Sequence, residues 1–406
     1  MNNQNLSEVT ECEVCSNEEI VEVLNLGNHP MCDDLVETND SRMCREYPIV
    51  IMYCKRCDTA HQKFQIPKAE LFPKTYHYRS RFTNDVLNGM KDLVEACEKH
   101  LGSLRDKKVL DVGCNDGSLL DFFKERGATT FGIEPTNAFA DALKKGHPTL
   151  NEFFSLESAK KIVENYGKPD IITFTNVFAH IEDLNGVLQA LKELADSSTL
   201  IIIENHYLGA VIDKNQFDTF YHEHPRTYSY SSFVHIANTL GMSLINVEFP
   251  SRYGGNIRVT IGNKEIYDQI DFNVNELVNR EARFFDRLVE MNDFIANWKA
   301  KTKTTLEGLY NEYGKLPGKA FPGRAAILIK LLELDSNTIS EIYERPGSMK
   351  IGHYVPGTRI PIKSDDELMK KIEDIPVLIN FAWHIKDEIE NYLRSKRFRG
   401  TVVNIL

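Results

Sequence analysis

The run Lys108-Val109-Leu110-Asp111-Val112-Gly113-Cys114-Asn115-Asp116-Gly117-Ser118 constrains this chain more than any other segment. A short apolar strand enters a glycine turn, and Leu119, Leu120 and Phe123 then recur at helical spacing. A strand that turns on glycine into a helix opens a βαβ unit, and such a turn lets a ligand approach the backbone closely. From about Tyr76 the chain alternates helical and short apolar patterns, which predicts a parallel sheet. The expected elements are an amphipathic helix over Asn84–His100 and strands at Thr130–Ile133, Asp170–Thr175 and Leu200–Ile203, after the first strand at 108. The dinucleotide fingerprint needs glycine at 113, 115 and 118, but Asn115 and Ser118 stand at the last two positions, so NAD is disfavoured.

The string D-V-G-C-N-D-G instead resembles the first motif of the S-adenosylmethionine (SAM) methyltransferases. There the acid before the turn and the glycine backbone surround the methionine part of the cofactor. The second strand ends in Glu134-Pro135, a carboxylate about 20 residues past the turn and suited to a ribose diol. Asp111, Gly113, Asn115, Gly117, Glu134 and Asn176 are the expected SAM contacts.

Ahead of this region, Cys12-Glu13-Val14-Cys15 and Cys54-Lys55-Arg56-Cys57 form two C-x-x-C knuckles. Four thiolates turned toward one point make a closed tetrahedral zinc site with no position left for water or substrate. The metal Zn2+ is therefore expected to staple a small domain, with Cys12, Cys15, Cys54 and Cys57 as ligands. Cys32, Cys44, Cys97 and Cys114 lack knuckle partners and read as structural thiols. Such cysteine usage suits a reducing compartment. The polar, acid-bearing start from Met1 to Glu11 does not read as a secretory signal, and no apolar run approaches the ~20 residues of a membrane span, so a cytoplasmic protein without a membrane partner is expected. A net charge of −11 works against polyanions, so no nucleic-acid partner is expected, while local cations can still hold a small anionic substrate.

Polar residues gather where strands end, which is where open α/β sheets bind ligands. His180 follows the third strand and His206 the fourth. Tyr221-His222-Glu223-His224 packs two imidazoles, a carboxylate and a phenol into four residues. It is either a polar surface loop or a general base with orienting neighbours; it is too short for the H-E-x-x-H zinc helix.

Taken in order, these residues resemble the three-domain SAM-dependent C-methyltransferases that act on nucleotide-linked keto-deoxysugars. The resemblance spans nearly the whole chain: both knuckles, Tyr76-His77-Tyr78-Arg79-Ser80, D-V-G-C-N-D-G, Glu134-Pro135, N-V-F-A-H at 176–180, Y-H-E-H, and Tyr253-Gly254-Gly255-Asn256 before Arg258. Gly323-Arg324, Gly352 to Ile362 and Phe381 to Ile389 extend it to the C-terminal part. It implies an α/β protein with a small zinc-binding domain (1–75), a central Rossmann-like SAM domain (76–263) and a C-terminal Rossmann-like domain (264–406) that helps hold the nucleotide sugar. A length of 406 residues accommodates two or three domains. Independently, a long helical stretch over about Asn273–Tyr313, a glycine turn after Phe321, a helix through Leu332 and strands near Ile339–Tyr343 and at Thr401–Ile405 read as a second α/β layer system.

By the same resemblance His224 is the leading base, with Tyr221, Glu223, His180 and Tyr76 around the reacting sugar. One departure concerns the C-terminal glycine loop: the family usually continues Gly-Asn-Thr, whereas this chain reads Arg324-Ala325-Ala326-Ile327. Carbon becomes a nucleophile only after a proton beside a carbonyl is removed, so C-methylation calls for a base and an oxyanion donor. An O- or N-methyltransferase would ask less of the Y-H-E-H cluster. A zinc-module nucleic-acid methyltransferase is opposed by the acidity of the chain.

Overall fold

The structure, a computed structural model, describes residues 6–72, 79–82, 84–269 and 273–406. Tyr76 lies outside the described residues. Contacts divide the chain into two units: Met1–Glu22 with Ile51–Lys214 and Glu223–Asp286, and Val23–Val50 with Asn215–His222 and Arg287–Leu406.

The first unit is built on a seven-stranded sheet. Its strands are β1 (Lys108–Val112), β2 (Thr129–Ile133), β3 (Thr149–Leu150), β4 (Ile171–Thr175), β5 (Leu200–His206), β6 (Ser243–Glu248) and β7 (Asn256–Gly262), in the order β6-β7-β5-β4-β1-β2-β3. The strands β3, β2, β1, β4 and β5 run parallel, and β7 and β6 close the sheet antiparallel. Runs such as Val109-Leu110 and Ile171-Ile172 are buried because helices cover both faces of a parallel sheet. On one face, Leu93 and Val94 of the helix Asn84–Leu101 pack with Leu119, Leu120 and Phe123 of the helix Ser118–Glu125. The helix Leu184–Leu194 buries Leu184, Val187, Leu188, Leu191 and Leu194, the helical spacing of one apolar face. It begins where the Asp183 side chain accepts the Gly186 N–H at 2.9 Å.

Two elements differ from the sequence expectation. Strand β5 continues past Ile203 through Glu204, Asn205 and His206. A buried carboxylate inside a strand needs counter-charge, and Glu204 has it from Arg252 Nε at 3.0 Å and Arg258 Nε at 2.8 Å. The helical stretch after Asn273 is two helices, Val274–Glu281 and Phe284–Tyr313. Glu281 is fully buried at the break, where its carboxylate accepts the N–H groups of Tyr230 and Ser231 at 2.7 and 2.9 Å. Those are orphan donors at the start of the helix Tyr230–Thr239.

Beside the sheet, Thr59–Gln62 pairs antiparallel with Ile51–Cys54 and, on its other edge, with Arg226–Thr227.

The second unit holds a five-stranded parallel sheet: β8 (Leu316–Lys319), β9 (Ile339–Glu344), β10 (Ile362–Ser364), β11 (Val377–Asn380) and β12 (Thr401–Asn404), in the order β10-β9-β8-β11-β12. Tyr343, Leu368, Leu378, Ile389 and Leu393 form its core. Lys319, at the end of β8, is buried against Asp365 with contacts of 2.9 and 3.0 Å. The fold is thus α/β throughout, with a four-cysteine segment ahead of a mixed central sheet and a parallel C-terminal sheet. Among the described residues, no helix is long and apolar enough to cross a membrane.

Candidate active site

In the central sheet the strand order reverses beside β1, between β1 and β4, and the carboxyl ends of the strands there form the crevice where open α/β sheets bind ligands. The turn after β1 is made by three left-handed residues, Gly113 (φ 71°), Asn115 (φ 50°) and Gly117 (φ 74°). At Gly113 a Cβ would stand 2.6 Å from the Val177 side chain, so only glycine fits. Glu134, at the end of β2, accepts the Asn115 N–H at 3.0 Å and the Thr136 N–H and hydroxyl at 2.9 and 2.6 Å. Asp111 is buried in β1 and accepts the Thr173 hydroxyl at 2.7 Å. Burial pushes its carboxyl up to about 7, with the Thr173 bond opposing and Glu134 adding to the rise. Asn176 follows β4 at φ 53°, its N–H bonded to the Glu204 carbonyl at 2.7 Å.

All six residues expected to meet SAM therefore stand at the ends of β1, β2 and β4. A left-handed glycine turn and a carboxylate at the next strand end fit the adenosyl and methionyl parts of that cofactor. The segment after residue 78 docks on the same turn: Ser80 N–H donates to Asn115 Oδ1 at 3.0 Å and Arg81 N–H to Asp116 Oδ2 at 3.1 Å.

Next along the crevice is a cluster of imidazoles. His180 closes a single turn, Phe178–His180, anchored because Phe178 is fully buried against Phe174 and Tyr228, at 5.3 and 5.4 Å between ring centroids. Asn205 of β5 accepts the Ala179 N–H at 3.4 Å, tying this turn to the neighbouring strand. The His224 ring meets His180 edge-on at 4.9 Å and His206 at 5.1 Å between centroids. The Glu223 carboxylate lies 3.9 Å from His180 Nδ1, and Phe72 packs on the His180 ring at 5.3 Å. Burial pushes the His180 pKa down, to about 4, while 19% of its side chain still meets solvent; the direction keeps this ring neutral at neutral pH.

The structure thus gathers His180, Glu223 and His224, and adds His206, which the sequence offered only as a lone histidine at a strand end. His222 is bonded to the Tyr47 carbonyl at 3.1 Å within the second unit. Tyr221 lies next to the end of the segment Asn215–His222 of that unit and is half-buried. Arg324, the basic residue of the C-terminal glycine loop, grips Asp218 with two bonds of 2.8 and 2.6 Å, and Trp383 Nε1 donates to the same carboxylate at 2.9 Å. A guanidinium neutralised by a buried carboxylate has a structural partner already.

The four knuckle sulfurs lie within 4.8 Å of one another, with Cys12 and Cys57 at 3.4 Å and Cys15 and Cys54 at 3.6 Å. A tetrahedron with bonds of ~2.3 Å has edges of about 3.8 Å, so this set fits zinc. The Cys12 thiol is pushed up, first by its hydrogen bond with Cys54, and the Cys57 thiol by its hydrogen bonds with Cys12 and Cys54, while the same contacts push Cys54 down, so the four sulfurs act on one another as a single cluster.

Comparison with known proteins matches three family profiles in succession: a zinc binding domain over residues 12–72, a methyltransferase domain over 82–247 and a C-methyltransferase C-terminal domain over 251–405. The C-methyltransferase NovU of Streptomyces niveus is 24% identical over 95% of this chain and 94% of its own length. The ubiquinone biosynthesis O-methyltransferase of Colwellia psychrerythraea is 26% identical over 41% of this chain and 72% of its own length. Among solved structures, magnesium protoporphyrin IX methyltransferase from Synechocystis superposes with a TM-score of 0.35 at 17% identity, covering 44% of this chain and 84% of that one.

Proposed function

This chain is a three-domain, SAM-dependent C-methyltransferase with a zinc-binding four-cysteine cluster, and on that premise we propose that it methylates a carbon beside the keto group of a nucleotide-linked 4-keto-deoxysugar. The observation that carries this reading is the His180–His224–His206 cluster with Glu223, beside the same carboxyl ends of the strands as the glycine turn. Simple transfer to oxygen or nitrogen starts from a ready nucleophile and asks less of such a cluster. The full-length similarity to NovU, in contrast to partial matches with O-methyltransferases, supports the carbon reading.

In the proposed mechanism His224 removes the α-proton of the keto sugar. Its ring is oriented by an edge-on contact with His180 and a tilted one with His206. His180, neutral because of burial, donates a ring N–H toward the oxygen that gains charge as the enolate forms. Tyr221 is the second expected donor, and Glu223 stabilises His180 when charge develops nearby. Asp111, Gly113, Asn115, Gly117, Glu134 and Asn176 hold the cofactor. When bound, SAM supplies the electrophilic methyl group that the enolate carbon takes up. General-base action contributes ~10²–10⁴-fold and an oxyanion donor ~10²–10³-fold. The zinc cluster is closed by sulfur and takes no part in either step. The eight cysteines, none of them in a disulfide, suit a cytoplasmic setting.

The test is incubation with SAM and a panel of dTDP-, GDP- and CDP-linked 4-keto-6-deoxysugars. One methyl gained on carbon, located by NMR of the product, is the expected result; a methyl on oxygen or nitrogen, or no gain from any keto sugar, overturns the reading.

A further inference from the structure

Arg226 stands two residues beyond His224 and is fully buried, the largest side chain in the described residues to be so enclosed. Its guanidinium reaches in three directions. Nη1 pairs with Glu13 Oε2 at 2.5 Å. Nη2 donates to the Ile181 carbonyl, and both terminal nitrogens reach the Glu182 carbonyl at 3.4 and 3.3 Å. Nε donates to the Tyr228 hydroxyl at 3.0 Å, and the Tyr228 ring packs on Phe178. Ile181 and Glu182 directly follow His180, and Phe178 opens its turn. A single side chain on the His224 segment therefore grips the backbone after His180 and the aromatic ring that braces the turn before it.

The counter-charge comes from the metal segment. Glu13 lies between Cys12 and Cys15, and its carboxylate also accepts Gln65 Nε2 at 2.8 Å. The second knuckle holds the same stretch from the other side: Arg226 pairs with His61 in the strand ladder, and the Ser229 and Ser232 hydroxyls both donate to the Cys57 carbonyl at 3.2 Å. A buried guanidinium stays in place only while its anion does, because an unpaired charge there is strongly unfavourable.

We propose that Arg226 is a positioning residue that fixes His180 against His224, and that Glu13 of the first cysteine knuckle holds it there. This rests on the histidine cluster being the reacting site. Closing the knuckle around its metal then sets the spacing of the two imidazoles without the metal touching substrate. Misplacing a catalytic group by about 1 Å costs ~10²-fold in rate.

The experiment uses the full chain. Because removing one member of a buried pair invites unfolding, the first variant replaces both, Glu13→Gln with Arg226→Met, which leaves no buried charge. The second, Arg226→Lys, keeps the cation opposite Glu13 but lacks the planar fork that spans two carbonyls. For each we expect about one zinc per chain and SAM affinity within about threefold of wild type, with kcat and α-proton exchange in deuterium oxide both lowered ~10²-fold. If the double variant loses zinc or fails to fold, Arg226→Lys carries the same test. A folded, zinc-loaded variant working at the wild-type kcat overturns the proposal. His224→Asn, assayed alongside, separates the two failures: if it is inactive while the Arg226 variants are unimpaired, only the positioning role falls, and if it is fully active, the site assignment itself falls.

Discussion

Glu134 offers a quantitative test of the cofactor turn, because one carboxylate does two jobs there. Oε1 accepts both donors of Thr136, at 2.9 and 2.6 Å, and Oε2 accepts the Asn115 N–H at 3.0 Å. In Glu134→Gln the single carbonyl oxygen can keep the Thr136 pair, which leaves the amide NH₂ facing the Asn115 N–H, donor against donor. One charge-assisted hydrogen bond is lost, ~1.5–3 kcal/mol. In a domain of 150–250 residues that corresponds to a melting temperature lower by about 3–12 °C. The same oxygen stands at the strand end expected to meet the ribose diol, so loss of a charged acceptor there should weaken SAM binding by a similar ~1.5–3 kcal/mol, about 12- to 150-fold. Calorimetry with SAM and a thermal melt of the unliganded protein measure both. Wild-type affinity with a lowered melting temperature would make Glu134 a loop strut only. Wild-type values for both would refute the reasoning altogether.

Purified protein is expected to hold about one zinc per chain, and Cys54→Ser should lose metal and melting temperature; metal-free protein with unchanged melting contradicts the structural assignment. Arg324→Ala should destabilise the second unit by ~3–5 kcal/mol in denaturant unfolding by stranding Asp218, and Arg324→Lys should recover only part of it; a stability change near zero contradicts the fork described above. Burial pushes His29 and His222 down to about 4, so both stay neutral in the folded chain at pH values where unfolded histidine takes up a proton. Stability is then fully present above about pH 7 and falls as the pH drops from about 6.5 toward 4, by as much as ~3 kcal/mol per ring. Melting temperatures that stay flat from pH 7 to pH 5 contradict that.

The sequence made most of the central sheet legible because its parallel strands are short runs of Val, Leu and Ile bounded by glycine turns or polar strand ends. What it concealed has a common cause in buried charge. Glu204 ends the apolar run of β5 for a hydrophobicity reading, yet the strand continues because arginines at 252 and 258 neutralise it. Glu281 breaks a helix that periodicity carries through, because its carboxylate caps another helix 50 residues away in the chain. The site shows the same limit. Spacing alone selected the cysteines, the glycine turn and the dense Y-H-E-H cluster, whereas His206 became part of the cluster only when β7 and β5 placed its strand end beside His224. Arg226 carried no signal at all, since nothing local distinguishes a fully buried arginine from a surface one.

The central claim is that His224 removes a proton from carbon. Wild-type enzyme held in deuterium oxide with the keto sugar and S-adenosylhomocysteine, which has no methyl to give, tests it most directly by NMR of the α-position. The account predicts solvent deuterium at that carbon, with a pH dependence that includes a limb in the imidazole range, and no deuterium in His224→Asn, whose SAM affinity is retained. Exchange at the wild-type rate in His224→Asn would contradict the account and transfer the role of base to Tyr221.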